Sequence, residues 1–157
     1  MAASRRPGMM RAAESMPESI APYHERLPDL ERELTERGSL GVLVVDASPL
    51  TTIEDRYGTL AQEEVRQRLF RILDEARGKD YRQGDMLFLD RPRGLRFAFL
   101  LDRKRRRTVP LSVADLRTAR QRLVTSLIPK LARAAFPYLK DASLDVGYGL
   151  ALQNPLL

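Results

Sequence analysis

The 157-residue chain has no cysteine, no tryptophan and a single histidine, and its aromatic residues are five phenylalanines and five tyrosines. Without cysteine there are no disulfides, no thiol nucleophile and no zinc site built on thiolates. A thiol-free chain suits a reducing compartment, so a cytoplasmic location is expected. The lone His24 has no serine, aspartate or cysteine frame around it, which leaves no credible catalytic triad and no histidine metal site. No apolar run approaches the roughly 20 residues that cross a bilayer. The basic start, Met1 to Met16, lacks an apolar stretch ahead of a small-residue cleavage site, so neither a span nor a secretory leader is expected, and no membrane partner.

What is present reads as one globular domain with a tail. Hydrophobic residues make up 43% and charged residues 31%, and the net charge is +6. Arginine far outnumbers lysine. Its planar fork suits phosphates, although the same bias also describes a solvated arginine-rich surface. Residues 1–22, with three prolines and no hydrophobic period, are expected to form a flexible tail, and residues 23–157 the domain.

Within the domain the patterns sharpen. Pro28 fits a first helical turn, Leu27, Leu30 and Leu34 share a face, and Gly38 ends the helix. Leu40 to Val45 is a continuous apolar run ending at Asp46, the pattern of a strand buried on both faces. Pro49 to Arg56 forms a short helix stopped at Gly58. A longer one from Leu60 to Ala76 carries Ala61, Val65, Leu69, Ile72 and Leu73 along one stripe. Met86–Leu89 and Phe97–Leu101 read as strands joined by a hairpin through Asp90–Gly94. Ser112 with Asp115 makes a capping box for a helix bearing Leu116, Leu123 and Leu127, which Pro129 should break before a continuation to Ala135. Leu144, Val146, Tyr148 and Leu150 alternate as in a half-buried strand. The resulting order, a leading helix and then β-α-α-β-β-α-β, predicts an α+β fold. Its palm-like sheet has a central antiparallel hairpin and helices packed on one face.

The stretch Leu43-Val-Val-Asp46-Ala-Ser-Pro-Leu50-Thr-Thr-Ile53-Glu-Asp55-Arg-Tyr57-Gly58 resembles the GGDEF family, bacterial diguanylate cyclases that condense two GTP into cyclic di-GMP. Asp46, Leu50, Ile53, Asp55, Tyr57 and Gly58 occupy the places of the family's strand-end aspartate and the segment after it. The resemblance runs from about Leu27 to Leu152. It implies a signal-transduction role, and it implies Mg²⁺ chemistry in the intact enzymes, because phosphoryl transfer needs divalent ions to neutralise developing charge. Asp46 is thereby a vestigial candidate metal ligand, and it is equally placed to cap the following short helix.

The chain departs from the family where the chemistry lies. The acidic signature falls at Arg93-Gly94-Leu95-Arg96-Phe97, so the acidic pair becomes Leu95 and Arg96 and the first glycine becomes Arg93. An arginine repels Mg²⁺, and an apolar side chain cannot ligate it. The guanine-reading Asn and Asp fall at Glu54 and Glu63, and a carboxylate lacks the amide donor. The chain stops at Leu157, just past the last matched strand. The family's next helix, with its triphosphate-gripping groups, is therefore expected to be missing, and Asn154–Leu157 to open a linker into something further. The expectation is a degenerate, non-enzymatic domain with no cofactor and no catalytic residues.

The family's second cyclic di-GMP site, an R-x-x-D upstream of the signature, is matched by Arg82-Gln83-Gly84-Asp85 at slightly longer spacing. The resemblance implies that Arg82 clamps a phosphate and Asp85 accepts from guanine, with help from Arg120 or Arg122 on the later helix. The plainer role for the pair is a turn before the strand. The densest charge run, Arg103–Arg107, lacks interleaved aromatics, so nucleic-acid binding is not expected. Three functions stay open. One is a nucleotide-binding signalling domain that receives cyclic di-GMP; the second is an interaction module docking on another protein or an adjacent domain; the third keeps GTP binding as an allosteric input. The oligomeric state is also open, with a dimer among the options. If the helix after the last strand is missing, apolar sheet surface near Val146 and Leu150 should be exposed.

Overall fold

The computed structural model describes residues 20–101 and 111–153. The Arg103–Arg107 run, the segment 1–19 and the segment Asn154–Leu157 lie outside the described residues.

Chain direction is set first by helix α1, Leu27–Arg37, which follows a 3₁₀ turn at Tyr23–Arg26. Pro28 sits in its first turn, where the absent N–H costs nothing. Gly38 closes it at φ 75°, with its N–H on Leu34 O at 2.8 Å, a left-handed cap that glycine adopts without steric cost. Strand β1, Ser39–Asp46, then runs through the middle of the molecule. A 3₁₀ turn, Ser48–Thr51, leads into the short α2, Thr52–Tyr57, and Gly58 breaks it from the 18-residue α3, Thr59–Ala76. β2, Met86–Leu89, and β3, Arg96–Leu100, form the hairpin. Helix α4, Val113–Ser126, opens on a reciprocal capping box: Ser112 Oγ accepts from Asp115 N, and the Asp115 carboxylate accepts from Ser112 N. The chain breaks at Leu127 and resumes as α5, Ile128–Arg133, with Pro129 in its first turn, before β4, Asp145–Leu152.

The four strands form one antiparallel sheet in the order β2-β3-β1-β4. This is the α+β palm-like architecture read from the element order. Alternation along the strands divides the hydrophobic residues between two faces. Leu43, Val45, Leu87, Leu89, Phe97, Phe99 and Val146 point to the face covered by α3, α4 and α5, and make the main core with Leu69, Leu73, Leu123 and Leu127. Edge-on ring contacts, Phe70 with Phe97 and Tyr81 with Phe99, lock it.

Three expectations change. The helices do not pack on one face only. Leu30 of α1 lies against Phe88, Ala98 and Leu100 on the opposite face, because the even-numbered residues of β1 and β3 are also apolar and need cover. For the same reason β1 is not equally buried on both sides: its odd positions are fully enclosed, while Leu40, Val42 and Val44 are half-covered by the single short helix. The fold also starts earlier than residue 23, since Leu89 N donates to Ala21 O at 2.8 Å and Pro22 bridges to Leu89.

Candidate functional site

Two concave regions collect the charged residues singled out in the sequence. They lie on different parts of the fold and have different chemistry.

The first is the cleft between the hairpin turn and the start of α3, a cavity of about 300 Å³ reached by Glu54, Glu63, Arg66, Arg93 and Arg96. Asp46 ends β1 directly opposite Arg96, its register partner on β3. Asp46 Oδ1 accepts from Ser48 N at 2.9 Å, which ties down the turn into the 3₁₀ segment. The same oxygen lies 3.4 Å from Arg96 Nε, and Arg96 also reaches Asp90 at 3.9 Å. Partial burial pushes the Asp46 carboxyl up, but the Ser48 hydrogen bonds and the Arg96 guanidinium outweigh it, and the net displacement is below the usual aspartate value. The guanidinium thus supplies the positive charge at the strand-end carboxylate. The donor set does not suit a hard divalent ion, because one carboxylate already paired to a cation is a poor ligand. Among the described residues no cluster of three or more acidic or histidine side chains is positioned to hold a metal.

Glu54 and Glu63 are brought to the same cleft, each engaged locally. Glu54 accepts from Thr59 Oγ1 at 3.3 Å and Glu63 from Gln67 Nε2 at 3.0 Å, with Arg93 3.6 Å from Glu63. Arg93 holds φ 61°, the left-handed region that glycine occupies freely and an arginine does not. Gly94 beside it is required sterically: a Cβ there would meet Asp90 Oδ1 at 2.1 Å.

The second region is a cavity of about 290 Å³ between the chain entering β2 and helix α4. Its floor is apolar, made by Leu43 and Phe99 of the sheet with Leu123 of α4, and its polar wall holds Asp80, Arg82, Asp85, Asp115 and Arg122. The turn that presents Arg82 and Asp85 is built rather than incidental. Asp85 is buried at 4% exposure, and its Oδ2 accepts from Arg82 N at 3.1 Å. Arg77 clamps the same turn from below, donating to Gln83 O at 3.2 Å and Asp85 O at 3.0 Å while its guanidinium lies over the Tyr81 ring. Tyr81 is anchored in turn by its hydroxyl on Leu73 O at 2.6 Å, and burial raises its pKa. Asp80 pairs with Lys130 of α5 at 2.8 Å.

The structure therefore assembles Arg82, Asp85 and Arg122 around one hollow. It does not bring Arg120 there. Arg120 points to the sheet edge and donates from Nε to Val146 O at 2.7 Å, because helical spacing turns residues 120 and 122 about 200° apart. Tyr81, Asp80 and Arg77 were not singled out in the sequence. Asp80 and Tyr81 contribute through tertiary pairing, with Lys130 of α5 and with Leu73 of α3 and Phe99 of β3, which no local spacing announces; Arg77 acts within eight residues, on the turn itself. The expected exposed surface near Val146 and Leu150 is also revised: α4 covers Val146, Leu150 is half-buried, and the large exposed apolar residues of β4 are Tyr148 and Leu152.

This arrangement of sheet and helices is a GGDEF-like fold. The S helix–GGDEF–EAL portion of Vibrio cholerae LapD, a structure bound to c-di-GMP, aligns over 94% of this chain and 31% of that one, at 14% identity and a TM-score of 0.57. The Pseudomonas aeruginosa diguanylate cyclase SiaD, in complex with its activator SiaC, aligns over 94% of this chain and 56% of that one, at 16% identity and a TM-score of 0.50. The GGDEF domain of the P. aeruginosa protein YfiN (TpbB) aligns over 87% of this chain and 73% of that one, at 26% identity and a TM-score of 0.48. No protein-family model and no curated protein sequence matches the chain. Among the described residues no helix is long and apolar enough to cross a membrane.

Proposed function

We propose that this chain is a non-catalytic GGDEF-like signalling domain that receives cyclic di-GMP in the hollow between the Arg82–Asp85 turn and helix α4. The observation that carries the reading is the convergence of Arg82, Asp85 and Arg122 on one cavity with an apolar floor. Arginine forks suit the phosphodiester groups, a buried carboxylate suits a guanine N–H edge, and an apolar floor suits the purine face. The LapD structure similar in fold is bound to the same dinucleotide.

The non-catalytic half of the reading rests on the other cleft. An arginine at position 96 neutralises the carboxylate that a metal would need, and Leu95 and Arg93 replace further acidic and glycine positions of the signature. Glu54 and Glu63 remain acceptors only. Incubation with GTP and Mg²⁺ or Mn²⁺ is expected to yield no cyclic di-GMP, and measurable turnover would overturn this half.

Isothermal calorimetry with cyclic di-GMP tests the receptor half. Each charge-assisted contact contributes about 1.5–3 kcal/mol, so Arg82→Ala and Arg122→Ala should each weaken binding by about tenfold to a hundredfold. Asp85→Ala should abolish it by releasing the turn as well. Absence of heat and of thermal shift at saturating ligand refutes the receptor reading. The remaining reading is then a protein-interaction module, favoured by the exposed Tyr57, Leu60 and Phe136 near the Tyr57–Tyr138 ring contact.

A further inference from the structure

The hairpin cleft fails as a metal site for the same reason that it qualifies as an anion site. Its walls hold four guanidiniums, those of Arg66, Arg91, Arg93 and Arg96, against three carboxylates, those of Glu54, Glu63 and Asp90. The carboxylates are engaged already. Asp90 reaches Arg96 at 3.9 Å, Glu54 takes the Thr59 hydroxyl, and Glu63 takes the Gln67 amide with Arg93 at 3.6 Å. Asp46, at the strand end, also pairs with Arg96. Among the described residues, Arg66 and Arg91 have no carboxylate within 4 Å, so the cleft keeps positive charge that its own acids do not meet.

Thr59, Glu63 and Arg66 share one face of α3 at helical spacing, and that face borders the cleft. The Arg66 guanidinium carbon lies 5.0 Å from the centre of the Phe70 ring, which fixes its direction without a counter-ion. Burial holds its pKa below the ordinary arginine value; the Glu63 charge offsets this in part, and the like charge of Arg93 adds to it. Withdrawing a cation from water costs free energy that an anion offsets, and among the described residues no side chain within 4 Å supplies that anion. Arg93 holds φ 61°, and its side chain is 75% exposed with only the long Glu63 contact to hold it. Glycine would adopt that backbone without strain, so the guanidinium is kept against the backbone's preference. Arg91 lies across Gly94, where a Cβ would meet Arg91 Cγ at 2.9 Å.

We propose that this cleft binds a diphosphate group directly on the guanidiniums of Arg66, Arg91 and Arg93, with no metal ion between protein and oxyanion. Planar forks make bidentate, charge-assisted hydrogen bonds to phosphoryl oxygens, and together they match the charge of one diphosphate. A cavity of about 300 Å³ exceeds a single phosphate and stands at the small end of ligand pockets. A nucleobase gains nothing here, because Glu54 and Glu63 are already engaged by Thr59, Gln67 and Arg93. Free pyrophosphate and the tail of any nucleoside diphosphate are therefore equivalent ligands. The cleft shares no lining residue with the dinucleotide hollow and stands or falls independently of it.

Thermal denaturation and calorimetry of the full chain with sodium pyrophosphate in chelator test the site. A saturable rise in melting temperature is expected, which sodium chloride at matched ionic strength does not reproduce. Added Mg²⁺ should weaken binding, since the ion competes with the guanidiniums for the same oxygens. Arg66→Met and Arg93→Gly should each weaken pyrophosphate binding by about tenfold to a hundredfold. Neither variant should melt appreciably lower than the wild type without ligand, which separates a ligand-binding arginine from a structural one. Arg71→Ala, an exposed change elsewhere on α3, should leave the affinity unchanged. GDP and ADP should bind the cleft alike. The proposal is overturned by the absence of a saturable shift in chelator, by tighter binding with Mg²⁺, or by unchanged affinity in both Arg66→Met and Arg93→Gly. An equal loss from Arg71→Ala, or a preference for GDP over ADP that Arg66→Met abolishes, overturns it as well.

Discussion

Replacing Arg96 by glutamate probes whether the guanidinium stands in for a metal ion. Arg96 lies 3.4 Å from Asp46 and 3.9 Å from Asp90, and all three side chains are part-exposed, at 54%, 35% and 32%. In water-like surroundings two unit charges at 4 Å interact by about 1 kcal/mol before salt screening, and exposed pairs measure about 0.2–1 kcal/mol. Arg96→Glu deletes two such attractions and installs two repulsions of similar size. The sum is about 2 kcal/mol of lost stability at neutral pH, or roughly a 4–8 °C fall in melting temperature for a chain of this length. Three carboxylates would then face one another, a donor set that suits Mg²⁺ or Mn²⁺ far better than Asp46 alone. A metal at about ten times its Kd returns about 1.4 kcal/mol. Thermal denaturation of the wild type and of Arg96→Glu, each with and without millimolar Mn²⁺, is the assay. The variant should melt lower in chelator and recover most of the loss with Mn²⁺, whereas the wild type should not respond. Equal metal responses in the two proteins, or no loss in chelator, would refute the reasoning.

Asp46 titrates below the usual carboxylate range, so the stability it contributes is present above the ordinary aspartate pKa, about 3.9, and is lost as pH falls through its lowered value. Arg96→Ala should raise that pKa, read from the side-chain carboxyl shift by NMR; an unchanged titration contradicts the pairing. Arg93→Gly relieves a left-handed residue, a gain of about 1 kcal/mol, but adds about 0.4–1 kcal/mol of unfolded-state entropy and loses the long Glu63 contact. A net change within about 0.5 kcal/mol of zero is expected by urea denaturation, and a large loss would show that the arginine side chain is itself structural. Leu123→Ala empties a fully packed position beneath the hollow and should cost about 2–5 kcal/mol. Ser112→Ala removes one arm of the capping box and should cost about 1 kcal/mol, also by urea denaturation.

Local chemistry made much of the fold readable. Gly38, the Ser112–Asp115 box and Pro129 each act within a few residues, so their helix ends fall where the sequence places them. The alternation of β4 was also visible, but its burial was not. Val146 is covered by α4, whose Arg120 takes its carbonyl, while Tyr148 meets α4 through its hydroxyl, which accepts from Arg117, and stays open, as does Leu152. The second face of the sheet was missed for a related reason. Leu40–Val45 is apolar at every position, and an unbroken run says that both faces want cover without saying which helix supplies it.

The two concave regions show the same divide between local and distant causes. At the hairpin, Asp46 and Arg96 sit 50 residues apart in sequence, yet each was identifiable separately, one as a strand-end carboxylate and one as a cation at an acidic position. Their meeting depends on the register of β1 and β3, which places residue 46 opposite residue 96. At the hollow, the Arg82–Asp85 turn was visible as a motif, but its rigidity comes from Arg77 and Tyr81, held by α3 and by Phe99. Arg122 and Arg120 could not be told apart by composition; helical geometry sends one to the hollow and the other to the Val146 carbonyl. A single helix thus contributes different roles from neighbouring positions: Arg122 lines a site that can take an anion, and Arg120 ties α4 to β4 through the Val146 carbonyl. Arg122→Ala should lose dinucleotide heat with little change in stability, whereas Arg120→Ala should cost about 1.5–3 kcal/mol in urea denaturation and leave the heat unchanged. Loss of heat from Arg120→Ala would mean that the hollow depends on how α4 is fastened to the sheet.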